Sequence, residues 1–394
     1  MKRLTTRQKE RHRRRARRRE ARRRHLRKLA ALSRRQGRLY ETVSSLGPDG
    51  VRMVPMLGTK RPAPRVLSLQ DNFEETAAFL KEVALGIDGM IDRLSNAVEM
   101  SNRRARRARA SESMAVGSIW DFATIERISV PVALMLASQY DRAIQLGGEA
   151  PRAINYSKWH PEVRQQLEQV GFLELCGIQH PSAPTRRYSN GTILRFTRGN
   201  TADGKVIAEY FRMMGLDLFQ EDPRLSEAIA EAITNVVNHA YSKSNLCDHR
   251  CLPHWWLTGL LLEEEGKRTA TIIVYDQGAT IPKTIPFSKK SGNILSALKD
   301  MLGITPQPGD PKYDAEGILS AMQLGTSATG FKYRGRGLSL ILETLDFCKE
   351  GRVVLYSRNG AVSVHKHADG TRRKSPVNHH GAIIGTAVIW RLEI

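Results

Sequence analysis

The chain has 394 residues, 41 % hydrophobic and 26 % charged, ordinary proportions for a globular protein of about two or three domains. No apolar run approaches the ~18 residues of a membrane-spanning helix, and the N-terminus has no apolar signal stretch, so a cytoplasmic protein without a membrane span is expected. The formal charge of +22 is a local property: residues 1–40 hold 19 Lys or Arg against Glu10 and Glu20, which takes +17 and leaves +5 for everything after.

Taken in chain order, residues 1–40 are a basic tail with too few apolar groups to offset the entropy of ordering, so disorder or a frayed helix is expected there. Residues 41–64 are rich in Pro and Gly from Gly47 to Pro64 and read as a linker. From 65 to 200 strand and helix signals alternate, which predicts a small α/β domain. Val66–Leu69 and Ile119–Phe122 are strand candidates, and Phe73–Met90 reads as a helix. Ser129 is an N-cap candidate with Pro131 in the first turn ahead of an apolar run. A further helix is expected near Pro161–Gly171, followed by the apolar segment Phe172–Leu175. Arg103 to Arg109 carries five arginines, read as a solvated face or as a second contact for an acidic partner.

The chemistry is concentrated in residues 205–394. Asp222-Pro223 opens a helix whose Ile229, Ile233, Val236, Val237 and Ala240 form one apolar stripe. On another stripe Glu227, Glu231, Asn235 and His239 recur every fourth residue, which stacks them turn above turn. A carboxylate, a carboxamide and an imidazole in a row suit a site that orients water and holds a magnesium ion on phosphates. A β-branched strand, Thr269–Tyr275, then ends in Asp276-Gln277-Gly278, where a carboxylate acceptor for a purine amino group lies beside a residue that permits close approach. Further on, Gly325-Thr326-Ser327 and Gly330 lead into Arg334-Gly335-Arg336-Gly337-Leu338 at the start of a helix over 338–347. Glycines before a helix expose backbone N–H groups to an anion, and arginines add charge-assisted contacts. Strands are expected at 352–357, 361–365 and 385–392.

Each of these signals is weak alone; their order is distinctive. Helix with Glu-x3-Asn-x3-His-Ala-Tyr, strand with Asp-x-Gly, Gly-x-Gly-Leu turn and a final Gly-Thr strand resemble the histidine-kinase-like (Bergerat, GHKL) ATPase domain. The His-Ala-Tyr ending at 239–241 and Gly-Arg-Gly-Leu at 335–338 look most like the anti-sigma-factor serine kinase branch. The resemblance implies a C-terminal two-layer α/β sandwich over 205–394 that binds ATP and Mg2+. It implies that Asn235 ligates magnesium and that Glu231 orients or deprotonates the attacking water or hydroxyl. Asn238 and His239 would lie near the phosphates, and Asp276 would accept from the adenine amino group with Gly278 permitting the approach. Arg334, Gly335, Arg336, Gly337 and Leu338 would form the lid and phosphate turn, and Thr386 would reach adenine through water. Thr280 stands where the family often has a second glycine. Residues 65–200 resemble the STAS-like domains of bacterial regulators in layout, though the phosphoacceptor position is displaced to Ser129 or absent.

Four cysteines imply no disulfide framework; Cys176 and Cys348 read as buried thiols. Cys247, His249, Cys251 and His254 crowd one loop and could ligate zinc, but the spacing is tighter than paired knuckles and a polar loop is the default. The basic tail admits nonspecific nucleic-acid binding, docking to an acidic protein or membrane surface, or no role. The leading expectation is an ATP-dependent phosphotransferase of the anti-sigma type or an ATPase switch with a regulatory protein partner. The competing one is a non-catalytic, ATP-gated binding module that holds nucleic acid or an acidic partner through its tail.

Overall fold

A computed structural model describes Glu20 and residues 40–47, 50–57, 60–99, 119–148, 151, 155–176, 191–213, 224–242, 244–288, 291–307, 309–324 and 337–393. The basic tail up to Arg38, the Arg103–Arg109 cluster and the turn through Arg334, Gly335 and Arg336 lie outside them. Among the described residues no helix is long and apolar enough to cross a membrane.

The segment expected to be a linker is instead built of strands. β1 (Tyr40–Gly47) and β2 (Gly50–Leu57) form an antiparallel hairpin that closes at Gly47 and Gly50. Gly47 and Gly50 end the two strands, while Pro55 lies within β2. β3 (Lys60–Pro62) and β4 (Val66–Leu67) pair in parallel with β5 (Ile119–Asp121) and β6 (Arg127–Ile128) respectively. Around these short pairs pack α1 (Phe73–Glu99), α2 (Val130–Gly147), α3 (Pro161–Val170) and α4 (Phe172–Leu175). Ser129 occupies the N-cap of α2 with Pro131 in the first turn, but its side chain caps nothing.

Phe172–Leu175 is a helical turn, because Gly171 at φ +96° turns the chain straight from α3 into α4 and Phe172 closes on Tyr140 at 4.5 Å between ring centroids. The described residues of 60–176 are helices packed with two short parallel strand pairs.

The later part of the chain forms one large antiparallel sheet. Its strands are β7 (Gly191–Ile193), β8 (Thr197–Gly199), β9 (Trp255–Glu264), β10 (Lys267–Asp276), β11 (Gly351–Ser357), β12 (Gly360–Lys366), β13 (Arg372–Asn378) and β14 (Thr386–Glu393). They run in the order β13-β12-β11-β14-β10-β9-β7, with β8 also on β9. Alternation along the strands assigns the faces. Ile272, Val274, Val353, Leu355, Val388 and Trp390 point to one side. There they meet α6 (Arg224–Asn235), α8 (Asp314–Leu324) and α9 (Gly337–Glu343), which join the chain's other helices α5 (Gly204–Met213) and α7 (Ser291–Leu302).

Ile273, Tyr275, Tyr356 and Ala387 point to the opposite side and share one core with Leu80, Leu136, Tyr140 and Phe172 of the earlier helices. At this end the sheet is therefore covered on both faces, in three layers. The boundary expected at 200–205 cuts the sheet, since β7 and β8 pair with β9. Polar anchors join the layers. Arg142, fully buried, holds Asp88 and donates to the Arg250 carbonyl at 2.7 Å. Asp141 binds Arg198 and accepts from Trp256 Nε1 at 3.0 Å.

Candidate nucleotide site

The polar helix and the aspartate strand meet at their ends. Leu225, Ala228, Ile229, Ala232 and Ile233 of α6 are buried against the sheet, which turns Glu231 and Asn235 to the helix flank, both half-buried. Beyond Asn235 the helix widens into a π-helical turn, Val236–Ala240. This interrupts the expected ladder: an α-helical pitch carries Glu231 to Asn235, but the wider turn carries on to an exposed Asn238 and His239. For the same reason Val237, expected on the apolar stripe, is 39 % exposed. Glu227, the first rung, is exposed.

Ala240, the last residue of that turn, touches the tip of β10. Its carbonyl accepts from Ala279 N at 2.6 Å, and a β-carbon on Gly278 would lie 2.3 Å from the same oxygen. The missing side chain at Gly278 thus makes room for the helix end. Tyr241 ties the turn from the other side: its hydroxyl donates to the His254 carbonyl at 2.7 Å and accepts from Gln277 N at 3.0 Å. The Gln277 side chain crosses to the layer behind, where Nε2 donates to Ser138 Oγ of α2 at 2.8 Å.

Asp276 is buried at the strand end and faces Thr386 across the β10–β14 pairing. Burial pushes its carboxyl up to about 7, against N–H donors from Gly278 and Thr386 that favour the carboxylate; the Gly278 bond is 2.8 Å. Thr386 Oγ1 is 2.9 Å from Ser357 Oγ, which also accepts from Ile281 N at 2.9 Å. Burial raises the Glu231 carboxyl as well, offset by the His239 charge and the nearby Asn235 carboxamide. Among the described residues, no group accepts from the enclosed Asn235 Nδ2 in hydrogen-bonding geometry, and Thr280 Oγ1 is likewise buried without a partner. A site with a buried carboxylate, a hydroxyl pair and orphaned polar atoms fits a polar ligand better than a packed core, where such groups are normally satisfied.

The remaining predicted residues divide in two. Gly337 opens α9 and Leu338 packs on the core that α9 shares with α6, so the helix after the glycine turn runs beside the Glu231–Asn235 helix. Arg334, Gly335 and Arg336 fall outside the described residues. Ser357, Tyr241 and Gln277 were missed as site residues; Tyr241 was visible only as part of His-Ala-Tyr, and nothing in the sequence marks Ser357.

Among the described residues, those of the Cys/His loop included, no three His, Cys, Asp or Glu groups are placed to hold an ion. Cys251 Sγ points instead at the carbonyls of His249 and Gln277, at 3.4 and 3.5 Å. A hydrogen bond between the thiols lowers Cys247 and raises Cys251. Burial and the Arg142 charge push His249 down to about 3, so it is neutral.

No family model matches the chain, and no curated protein matches it.

Proposed function

We propose that the chain binds ATP with magnesium in a histidine-kinase-like arrangement. On this reading it is an ATP-dependent phosphotransferase, a protein serine/threonine kinase of the anti-sigma type, or an ATPase switch. The observation that carries the proposal is the meeting of two sequence-distant elements: the helix bearing Glu231 and Asn235 ends on the turn that follows buried Asp276, with Thr386 alongside.

The residues divide the work as follows. Asp276, held by two backbone donors, presents an acceptor to the purine amino group, and the Thr386–Ser357 hydroxyl pair offers donors and acceptors to the ring nitrogens. Asn235 would hold magnesium through its carboxamide oxygen, and the ion would supply charge neutralisation on the triphosphate. Glu231 is suited to accept a proton from water or a hydroxyl, because partial burial lifts its basicity above that of a solvated carboxylate. Asn238 and His239, exposed at the wide turn, are free to approach the phosphates, and Arg334 and Arg336, which shortly precede α9 in sequence, would supply positive charge. Phosphoryl transfer asks a protein chiefly for positioning and charge stabilisation, which these groups supply.

The test uses the full-length protein, since the sheet is completed by residues before 205. Incubation with γ-labelled ATP and magnesium separates the outcomes: label on protein identifies a kinase, free phosphate an ATPase, and bound ATP without either a nucleotide-gated binder. Absence of magnesium-dependent ATP binding, or binding unchanged by Asp276→Ala, overturns the proposal.

A further inference from the structure

Among the described residues, the face of the sheet shared with the early helices is covered at only one end. At that end Tyr356, Ala361 and Ala387 are buried. Toward the other end the same face opens into a groove of about 980 Å³ across β9 to β13. The strand register sets four cationic or imidazole side chains in one line across this groove. Arg373 pairs with His365, His365 with Arg352, and Arg352 with Arg391. Directly opposed side chains share a face and lie close, so Arg352 and Arg391 repel each other unless an anion intervenes.

Among the described residues no carboxylate is ion-paired with Arg352 or Arg391. Glu350 and Glu393 sit one step further along the face, but Glu350 pairs with His365 at 3.3 Å and Glu393 with Lys267 at 3.6 Å. Arg352 uses Nε on Ser363 Oγ at 2.7 Å, leaving the outer fork unused. Among the described residues Arg391 and Arg373 have no carboxylate partner. Guanidinium forks match a phosphate with two parallel hydrogen bonds each.

We propose that this groove binds a small phosphorylated compound, its phosphate held between Arg352 and Arg391, with Arg373 and His365 completing the row. The Glu350–Glu393 row beside it accepts hydroxyl or amine donors from the rest of the molecule. A nucleic-acid strand is disfavoured, because Glu263, Glu264 and Glu265 also line the groove and, among the described residues, no Phe, Tyr or Trp lines it for base stacking. The site is separate from the Asp276 end of the sheet and does not depend on the nucleotide reading.

The test reads the site through its own histidines, which the basic tail cannot mimic. In full-length protein with 13C-labelled histidine, the His365 and His367 signals are assigned with H365Q and H367Q. Their rings lie 4.1 Å apart, so both sense the groove. Inorganic phosphate and glycerol 3-phosphate should move both signals saturably. In R352Q/R391Q the apparent Kd should rise at least tenfold, and in D276N it should not change. R391Q alone should raise the melting temperature in phosphate-free buffer, since it relieves the repulsion; a merely structural arginine would lower it. Unmoved histidine signals, an unchanged titration in the double variant, or a decathymidylate that shifts these signals where phosphate does not would each overturn the proposal.

Discussion

Gly385 stands directly against Asp276. It adopts φ +70°, and a β-carbon there would lie 1.8 Å from the Asp276 carbonyl oxygen. The Gly-Thr pair at the start of β14 therefore fixes the aspartate's backbone, and Thr386 then meets it across the strand pairing. Gly385→Ala combines a strained backbone with a collision that only backbone movement can relieve. A loss of about 3 kcal/mol is expected, measured by urea unfolding of the full chain. Retention of wild-type stability would mean that the turn is not built as described.

The Asp276 carboxyl gives the fold a pH signature. Its folded value is about 7, well above the ordinary 3.8. Between those values the unfolded chain releases a proton that the folded chain retains. Stability from this group is thus fully present below about pH 4, is lost as pH rises toward 7, and is constant beyond. The ceiling on the change is roughly 4 kcal/mol. Melting temperatures from pH 4 to 8 should fall less steeply in Asp276→Asn than in the wild type; parallel curves would remove Asp276 as the buried titrating group.

On the proposed reading, Glu231 and Asn235 separate chemistry from binding. Glu231→Ala should lower turnover by roughly 10²–10⁴-fold while ATP affinity stays within a few-fold. Asn235→Ala should weaken ATP binding in magnesium but change it little in EDTA. Because burial raises Glu231, the acid limb of the wild-type rate profile should lie above the ordinary carboxylate range. Equal turnover in wild type and Glu231→Ala would end its assignment as base.

The fragment 205–394 should not fold. It lacks β7 and β8, which pair with β9, and it bares Trp256, Ile273, Tyr275 and Tyr356, whose cover comes from the earlier helices. Exposing side chains of this size costs about 1.5–3 kcal/mol each. Size-exclusion chromatography and proton NMR should find aggregate or a collapsed state without dispersed signals. A monomeric, dispersed fragment would restore the two-domain description.

How much of this was legible in sequence depended on whether the local pattern carried the fold's period. β10, β11, β12 and β14 were readable because β-branched residues recur in runs bounded by Gly and Asp. β9 was not: Trp255 to Leu262 is covered on both faces toward its start, and a run without alternation gives no strand signal. β13 was missed for the opposite reason, being a polar, Pro-containing edge strand. The hairpin of residues 40–57 was hidden because its Pro and Gly content matches that of a linker. At the site, Glu231 and Asn235 stood out by spacing, Asp276 by its strand-end Asp-x-Gly and Thr386 only through the resemblance, but Ser357 is one strand serine among many. The wide turn left no mark, since the Glu-x3-Asn-x3-His spacing is the same in an ordinary helix.

That wide turn makes chain length, more than side-chain identity, the sensitive quantity at the end of α6. Each residue in an ordinary helix advances about 100° around the axis, so deleting Val237 would swing the Ala240 oxygen away from Ala279 and the strand beyond it. Substitutions at Val237 or Asn238, both exposed, leave that angle alone. Homologous chains should therefore vary freely in the letters of this turn while keeping their number fixed.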